Sequence, residues 1–394
     1  MNFLCICTYF KGQDFFRYCK REGNNVYLLT RKKLENEAWP WESIDEVFYI
    51  EEWNHAHVVK GIAYTFRSIK FDRFVALDDF DVERVALLRE DFRMPGMGDT
   101  TGRLFRDKLA MRKEAKSKGI KVPEFTALFN DEEVNHFIDR VEGPWLIKPR
   151  SEASAAGIKK IHSKEELWQV LHNLGDERHL FVLEHFAPGD VYHVDSLNFD
   201  NKVVFARVSK YLDTPYEVAH SGGIFRSMTL QSGSEEEKDF LQMNAKIMKA
   251  FGLKHGASHT EFIKSKSTGE LYFLETSSRV GGANIAEMIE IASGINLWGE
   301  WARIETAALK GKTYDVPKHH QGVAGIVVSL SRYEYPDTSA FNDPEIKWRM
   351  NKRWHIGFIV QHDSEQRVRT LLDEYTERIA RGYHASAKVP DKLE

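Results

Sequence analysis

Glu261 in the stretch HTEFIKS, with Glu275 and Arg279 in LYFLETSSRVGGANI, are the residues of this 394-residue chain whose types and spacing point most directly to chemistry. The two glutamates sit at comparable positions of two apolar runs joined by STGE, which reads as a hairpin turn. Like charges side by side on neighbouring strands are destabilising unless a cation lies between them. Two carboxylates fill only part of the oxygen shell of Mg²⁺, and nucleotide phosphates are the usual source of the rest. Arg279, four residues past Glu275, is close enough to reach the same phosphates or a transferred oxyanion. A nucleotide-using enzyme is the first expectation, and solvated surface carboxylates are its alternative.

Four further segments carry candidate groups. WLIKPRSEASAAGIKKI puts Lys148 at the end of an apolar strand, followed by a loop of small residues that includes Ser154 and ends at Gly157. Small side chains let backbone N–H groups and hydroxyls approach a phosphate, and the ammonium adds a point charge; a surface hairpin with an exposed lysine is the competing reading. LFVLEHFAPGDVYHVDSL is a strand interrupted at HFAPGD. Leaving its sheet near Glu184 and Phe186, it would free backbone groups to read an adenine edge, and Asp190 could accept from ribose hydroxyls; the alternatives are a solvated strand end and a turn-shaping aspartate. HSGGIFRS offers His220, a turn with two glycines able to close over a substrate, and Arg226 as a clamp for a carboxylate, or else a plain β-turn with a solvated arginine. His259 shares a strand face with Glu261 and is either a substrate or metal-shell contact or a core histidine.

These residues need a framework longer than one ordinary core, so two or three subdomains around a cleft are expected. Lys and Arg total 55 against 59 for Asp and Glu, which argues against a global basic field for nucleic acid or anionic membrane. The only cysteines, Cys5, Cys7 and Cys19, read as core residues of a protein in a reducing cytosol, and no apolar run reaches the roughly 18 residues of a membrane span. From Asn2 to about Pro95 strands and helices alternate as in a small parallel α/β domain, without GxGxxG or a P-loop. RLFRDKLAMRKEAKSKG reads as one charged helix closed by Gly119. Residues 145–275 are mostly strand, a long helical region runs from Asn284 to Leu309, and the last 75 or so residues form a closing lobe. The divisions expected are 1–95 as the N-terminal domain, 96–318 as the core with a small lobe at about 125–190, and 319–394 as the C-terminal lobe.

Taken in order from about Phe92 to Leu309, the segments RDKLAMRKEAKSKGIKVPEF, WLIKPRSEASAAGIKKI, FVLEHFAPGDVYHVDSL, GASHTEF, FLETSSRVGGANI and IASGINL resemble the ATP-grasp superfamily. The resemblance implies an α/β and α+β architecture, the ATP-grasp fold with an N-terminal parallel α/β domain and a C-terminal lobe. By it, Lys108 and Lys148 contact nucleotide phosphates, Glu184 and the backbone at Phe186 receive adenine, and Asp190 the ribose. Glu261 and Glu275 hold Mg²⁺, or Mn²⁺ in its place, and Arg279 stabilises the transferred phosphoryl group. Ser277 stands where the family usually has asparagine and would coordinate through its hydroxyl. GASHTEF, HSGG and RVGG are most similar to carboxylate–amine ligases of the L-amino-acid ligase and carnosine synthase type. The implied reaction forms an amide through an acyl phosphate from a small carboxylate and an amine, releasing ADP and phosphate. A non-catalytic nucleotide-binding regulator, a kinase and a biotin-carboxylase-like enzyme are the alternatives. The implied setting is cytoplasmic, with no nucleic-acid or membrane partner and with a homodimer left open.

Overall fold

The computed structural model describes residues 1–153 and 155–387, and Ser154 therefore lies outside the described residues. Three sheets organise the chain. The first is parallel, in the order Glu46–Ile50, Asn25–Arg31, Asn2–Ile6, Arg73–Ala76. Its strands are buried apolar runs, and Cys5, Cys7 and Cys19 are free thiols in the core beneath it. Helix Gln13–Arg21 packs closely on Leu297–Leu309: a Cβ at Gly299 would lie 2.7 Å from the Tyr18 ring, so only glycine admits this approach.

The second sheet is a small antiparallel one in the order Phe125–Ala127, Phe181–His185, Trp145–Pro149, Lys159–Ile161. The third is a nine-stranded antiparallel sheet in which Leu271–Ser277, Gly256–Ser265, Gly189–Phe199, Lys202–Tyr211, Phe225–Thr229 and Val323–Ser331 are successive neighbours. Strands on both sides of residue 318 thus belong to one sheet. One face of it, with Tyr192, Phe262 and Phe273, packs on Phe240 of helix Glu235–Phe251. The other face, with Val191, Glu261 and Ile263, lines the cleft beneath the small sheet.

Two helices expected to be continuous are divided. The first piece, Asp99–Arg103, closes at Leu104, and Asp107 caps the second, Lys108–Ser117, by accepting from the Leu109 N–H at 2.9 Å and the Ala110 N–H at 3.3 Å. The region from Asn284 breaks at Gly294, whose φ of 80° ends Ile285–Ser293, and Asn296 caps Leu297–Leu309 through the Gly299 N–H. Each break is a local capping bond that the apolar stripe alone does not disclose.

Candidate active site

Glu261 and Glu275 are direct cross-strand partners, with a bulge just after Glu261. Bulges re-aim side chains beside functional sites, and here both carboxylates reach the wall shared by two cavities. One cavity, of about 430 Å³, lies between the small sheet and the large one, walled by Leu146, Ile158, Phe186, Ile263 and Leu274, with Lys108, Lys148 and Lys160 around it. The other, of about 490 Å³, lies toward the N-terminal domain and includes Asp79, Arg106, Tyr211, Phe225, His259 and Arg279. Lys108 lines both and pairs with Glu275 at 2.7 Å.

The two glutamates are held differently. Glu261 accepts from the Tyr211 hydroxyl at 2.9 Å, and His259 Nε2 lies 3.6 Å away. Burial opposes its charge, but the His259 bond and charge and the Tyr211 bond outweigh burial and keep the carboxyl below its ordinary range. The Tyr211 phenol, pushed far up by burial and then by the Glu261 charge, stays a neutral donor. Behind His259, Asp195 accepts from His259 Nδ1 at 2.9 Å and His193 Nδ1 at 2.6 Å, and His193 Nε2 meets Ser227 Oγ at 2.7 Å. Burial disfavours a charged imidazole, yet Asp195 overrides it and lifts His259 to about 9. A Cβ at Gly281 would lie 2.6 Å from Asp195 Oδ1, so the RVGG turn needs glycine there to cover this network.

On the first cavity's floor Lys148 meets Glu184 at 2.7 Å, and Arg112 meets the other oxygen of Glu184 at 2.9 Å. Burial opposes the Glu184 charge, and Arg112 and then Lys148 overcome it, so this carboxylate is ionised and committed to two cations. It fixes Lys148 in the cavity wall. The Phe186 N–H, expected to be open to adenine, donates to the Pro144 carbonyl at 3.0 Å. Gly157 has a φ of 67° and Ala155 one of 57°, so the small-residue loop turns twice through left-handed backbone above the lysines.

Three expected positions are corrected. Asp190 shares the side of its strand that carries Tyr192, away from Val191, and pairs with Lys210 at 2.7 Å and Lys266 at 3.2 Å instead of facing the cleft. Arg226 alternates with Phe225: Phe225 lines the second cavity, while Arg226 points away to Asp213 at 2.8 Å and Asp373 at 2.7 Å. HSGG is no open turn but the end of helix Pro215–Ser221, closed by Gly222 in the left-handed region. His220 lies outside both cavity walls, with its Nε2 3.2 Å from the Ile158 carbonyl, while Pro215, Val218 and Ala219 of the same helix line the second cavity.

Asp79 follows the strand Arg73–Ala76 at its carboxyl end and enters from the N-terminal domain. It accepts from Arg279 at 2.9 Å and from the Ser277 hydroxyl, and Arg106 lies 4.0 Å away. Burial opposes the Asp79 charge, but Arg279 and Arg106 hold the carboxyl well below its usual range. Ser277 is thereby turned to Asp79 rather than offered to a cation beside Glu275. Asp79, Arg106, Arg112, Tyr211 and the His193–Asp195 pair were not singled out from sequence. The run FVALDDF held a signal for Asp79, because ligands in α/β sheets gather at the carboxyl ends of parallel strands.

No family model matches the chain. It is 26% identical over 294 residues, 72% of this chain and 70% of the other protein, to the L-arginine-specific L-amino acid ligase of Bacillus subtilis. A D-alanine–D-alanine ligase of Neisseria gonorrhoeae is 23% identical over 188 residues, 47% of this chain and 61% of that enzyme, so the chain matches less than two thirds of that relative's length. Among solved structures, an L-amino acid ligase from Bacillus licheniformis superposes with a TM-score of 0.71 at 17% identity, covering 95% of this chain and 97% of that one. An N5-carboxyaminoimidazole synthetase from Staphylococcus aureus complexed with ADP gives 0.71 at 16% identity, covering 95% and 96%.

Proposed function

Given the ATP-grasp fold that these superpositions establish, we propose that the chain is an ATP-dependent carboxylate–amine ligase acting on amino acids. The γ-phosphoryl group passes to a small carboxylate; the amine then attacks the acyl carbon, phosphate leaves, and an amide or peptide bond forms. A carboxylate is a poor electrophile until one of its oxygens becomes a good leaving group, and ATP supplies that change. The observation that carries this reading is the placement of Glu261 and Glu275 in the wall common to two cavities, one suited to a nucleotide and one to the joined substrates.

The pair fits a divalent cation. Its carboxylates are register partners, and the Lys108 ammonium already sits on Glu275 as a positive group would. Bound there, Mg²⁺ or Mn²⁺ would neutralise charge on the transferring phosphoryl group. Because the Ser277 hydroxyl is turned to Asp79, the seat we assign consists of the two glutamates and the nucleotide's own oxygens. Lys148, fixed by Glu184, and Lys108 address the phosphates. Arg279, whose buried Nε has no hydrogen-bond partner, faces the second cavity with Arg106 and suits the substrate carboxylate and the acyl phosphate. Helix Pro215–Ser221, which contributes to both walls, excludes water from an intermediate that water would hydrolyse.

The test incubates the purified protein with ATP, Mg²⁺ or Mn²⁺, and pairs of amino acids, reading ADP release and product mass. Expected is ADP formation that depends on an amino acid, with a product equal to two substrates less one water. A phosphorylated product without condensation would establish a kinase instead, and nucleotide binding without turnover would establish a regulator.

A further inference from the structure

A third cavity, of about 460 Å³, lies away from the two glutamates, where the N-terminal sheet, the turn Pro95–Gly98 and the core meet. Its polar walls are chiefly donors: Arg73 and Arg89 from the N-terminal domain, and Lys254 and His255 from the core. Its one carboxylate, Glu305, is already engaged on both oxygens, by Arg73 at 2.6 Å and by the Trp301 N–H at 3.0 Å. Arg89 binds only backbone carbonyls, those of Phe74 at 2.7 Å and Met97 at 3.3 Å, and neither it nor Lys254 forms an ion pair among the described residues. Three cationic side chains, Arg73, Arg89 and Lys254, therefore share one carboxylate. Burial, and after it the neighbouring Arg73 charge, pushes the Arg89 guanidinium down to about 10 against the opposing charge of Glu305. His255 Nδ1 accepts from the Asp200 N–H at 3.3 Å, which leaves the proton on Nε2 and makes the ring one more donor.

We propose that this cavity binds a phosphoryl dianion, either free phosphate or a small phosphomonoester. The guanidinium N–H groups that the bonds to Glu305 and the backbone carbonyls leave free, the Lys254 point charge and the His255 donor can serve phosphate oxygens, and the cavity has room for more than the phosphoryl group. Arg73 and Asp79 stand at opposite ends of one strand and the turn that follows it. An anion here would tie the strand that delivers Asp79 to the core. The inference goes beyond the ligase reading and does not depend on it.

The test is equilibrium dialysis of the full chain with labelled inorganic phosphate, for wild type and Lys254→Glu, a substitution at an exposed side chain remote from the acidic pair. Expected is a binding class that weakens about tenfold or more in the variant, while circular dichroism stays unchanged. Crystals soaked in tungstate should place the heavy atom between Arg89 and Lys254. Competition by glycerol phosphate tighter than by phosphate would identify a phosphomonoester as the occupant, and weaker competition would identify free phosphate. Equal phosphate binding by both proteins, or tungstate bound only at the active site, would overturn the proposal.

Discussion

Glu261 and Glu275 face each other across one ladder, yet one is set in a buried network and the other is held by a single lysine and stays partly exposed. Glu261 is braced by Tyr211 and His259, and His259 in turn by Asp195 and His193. Glu275 keeps a third of its side-chain surface exposed and has Lys108 as its only ion-pair partner among the described residues. The contrast teaches how a two-carboxylate seat can be both placed and adaptable. The rigid member fixes the position of a cation, while the other, partly exposed and held by one ammonium, can exchange that ammonium for a metal ion.

The sharpest test of that division is Glu275→Gln. Turnover should fall by about 10²–10³-fold, the scale of losing a group that stabilises developing charge, while the urea midpoint stays at the wild-type value. Near-normal ADP release would remove Glu275 from the chemistry. Glu261→Gln should lose turnover on the same scale and in addition lower stability by about 1.5–3 kcal/mol, because a hydrogen-bonded charge is removed beside a buried imidazolium. Equal stability of the two variants would dissolve the comparison. Asp195→Asn touches only the bracing network. Leaving His259 without its buried counter-ion should destabilise by about 3–5 kcal/mol, measured by urea denaturation, with kcat reduced further than KM changes.

What the sequence disclosed of this site follows the same division. The hairpin turn STGE sufficed to set Glu261 and Glu275 at comparable positions of neighbouring strands, but the turn's own register would put Glu261 opposite Leu274, and it is the bulge after Glu261 that makes the two glutamates partners. The order of motifs likewise pointed to the fold. Asp190 and Arg226 went astray because one residue of register decides which face a side chain takes, and each strand end offered polar groups on both faces. Asp79 and Tyr211 escaped notice because they reach the site from 198 and 50 residues away, respectively, from the groups they bond, and periodicity carries no information over that span. The committed state of Glu184 was hidden for the same reason: Arg112 and Lys148 meet it only once the small sheet has formed against helix Lys108–Ser117.

A pH dependence separates the two glutamates most cleanly. His259 is raised to about 9 in the folded chain, burial being outweighed by Asp195. A group whose folded value lies above its unfolded value of about 6.5 contributes stability that is complete below that unfolded value and lost as pH rises through the folded one. Stability should therefore decline between about pH 6.5 and 9. Asp195 and Glu261 are shifted down, so their contribution is present above the ordinary carboxylate range and lost only on acidification. They add nothing to the alkaline slope. Urea midpoints measured from pH 6 to about 10 should show that decline in wild type and in Glu275→Gln alike, and a flatter profile in His259→Gln. If Glu275→Gln flattened the slope as much as His259→Gln, the loosely held carboxylate would be part of the buried network after all, and the two members of the pair would have to be treated as one coupled group.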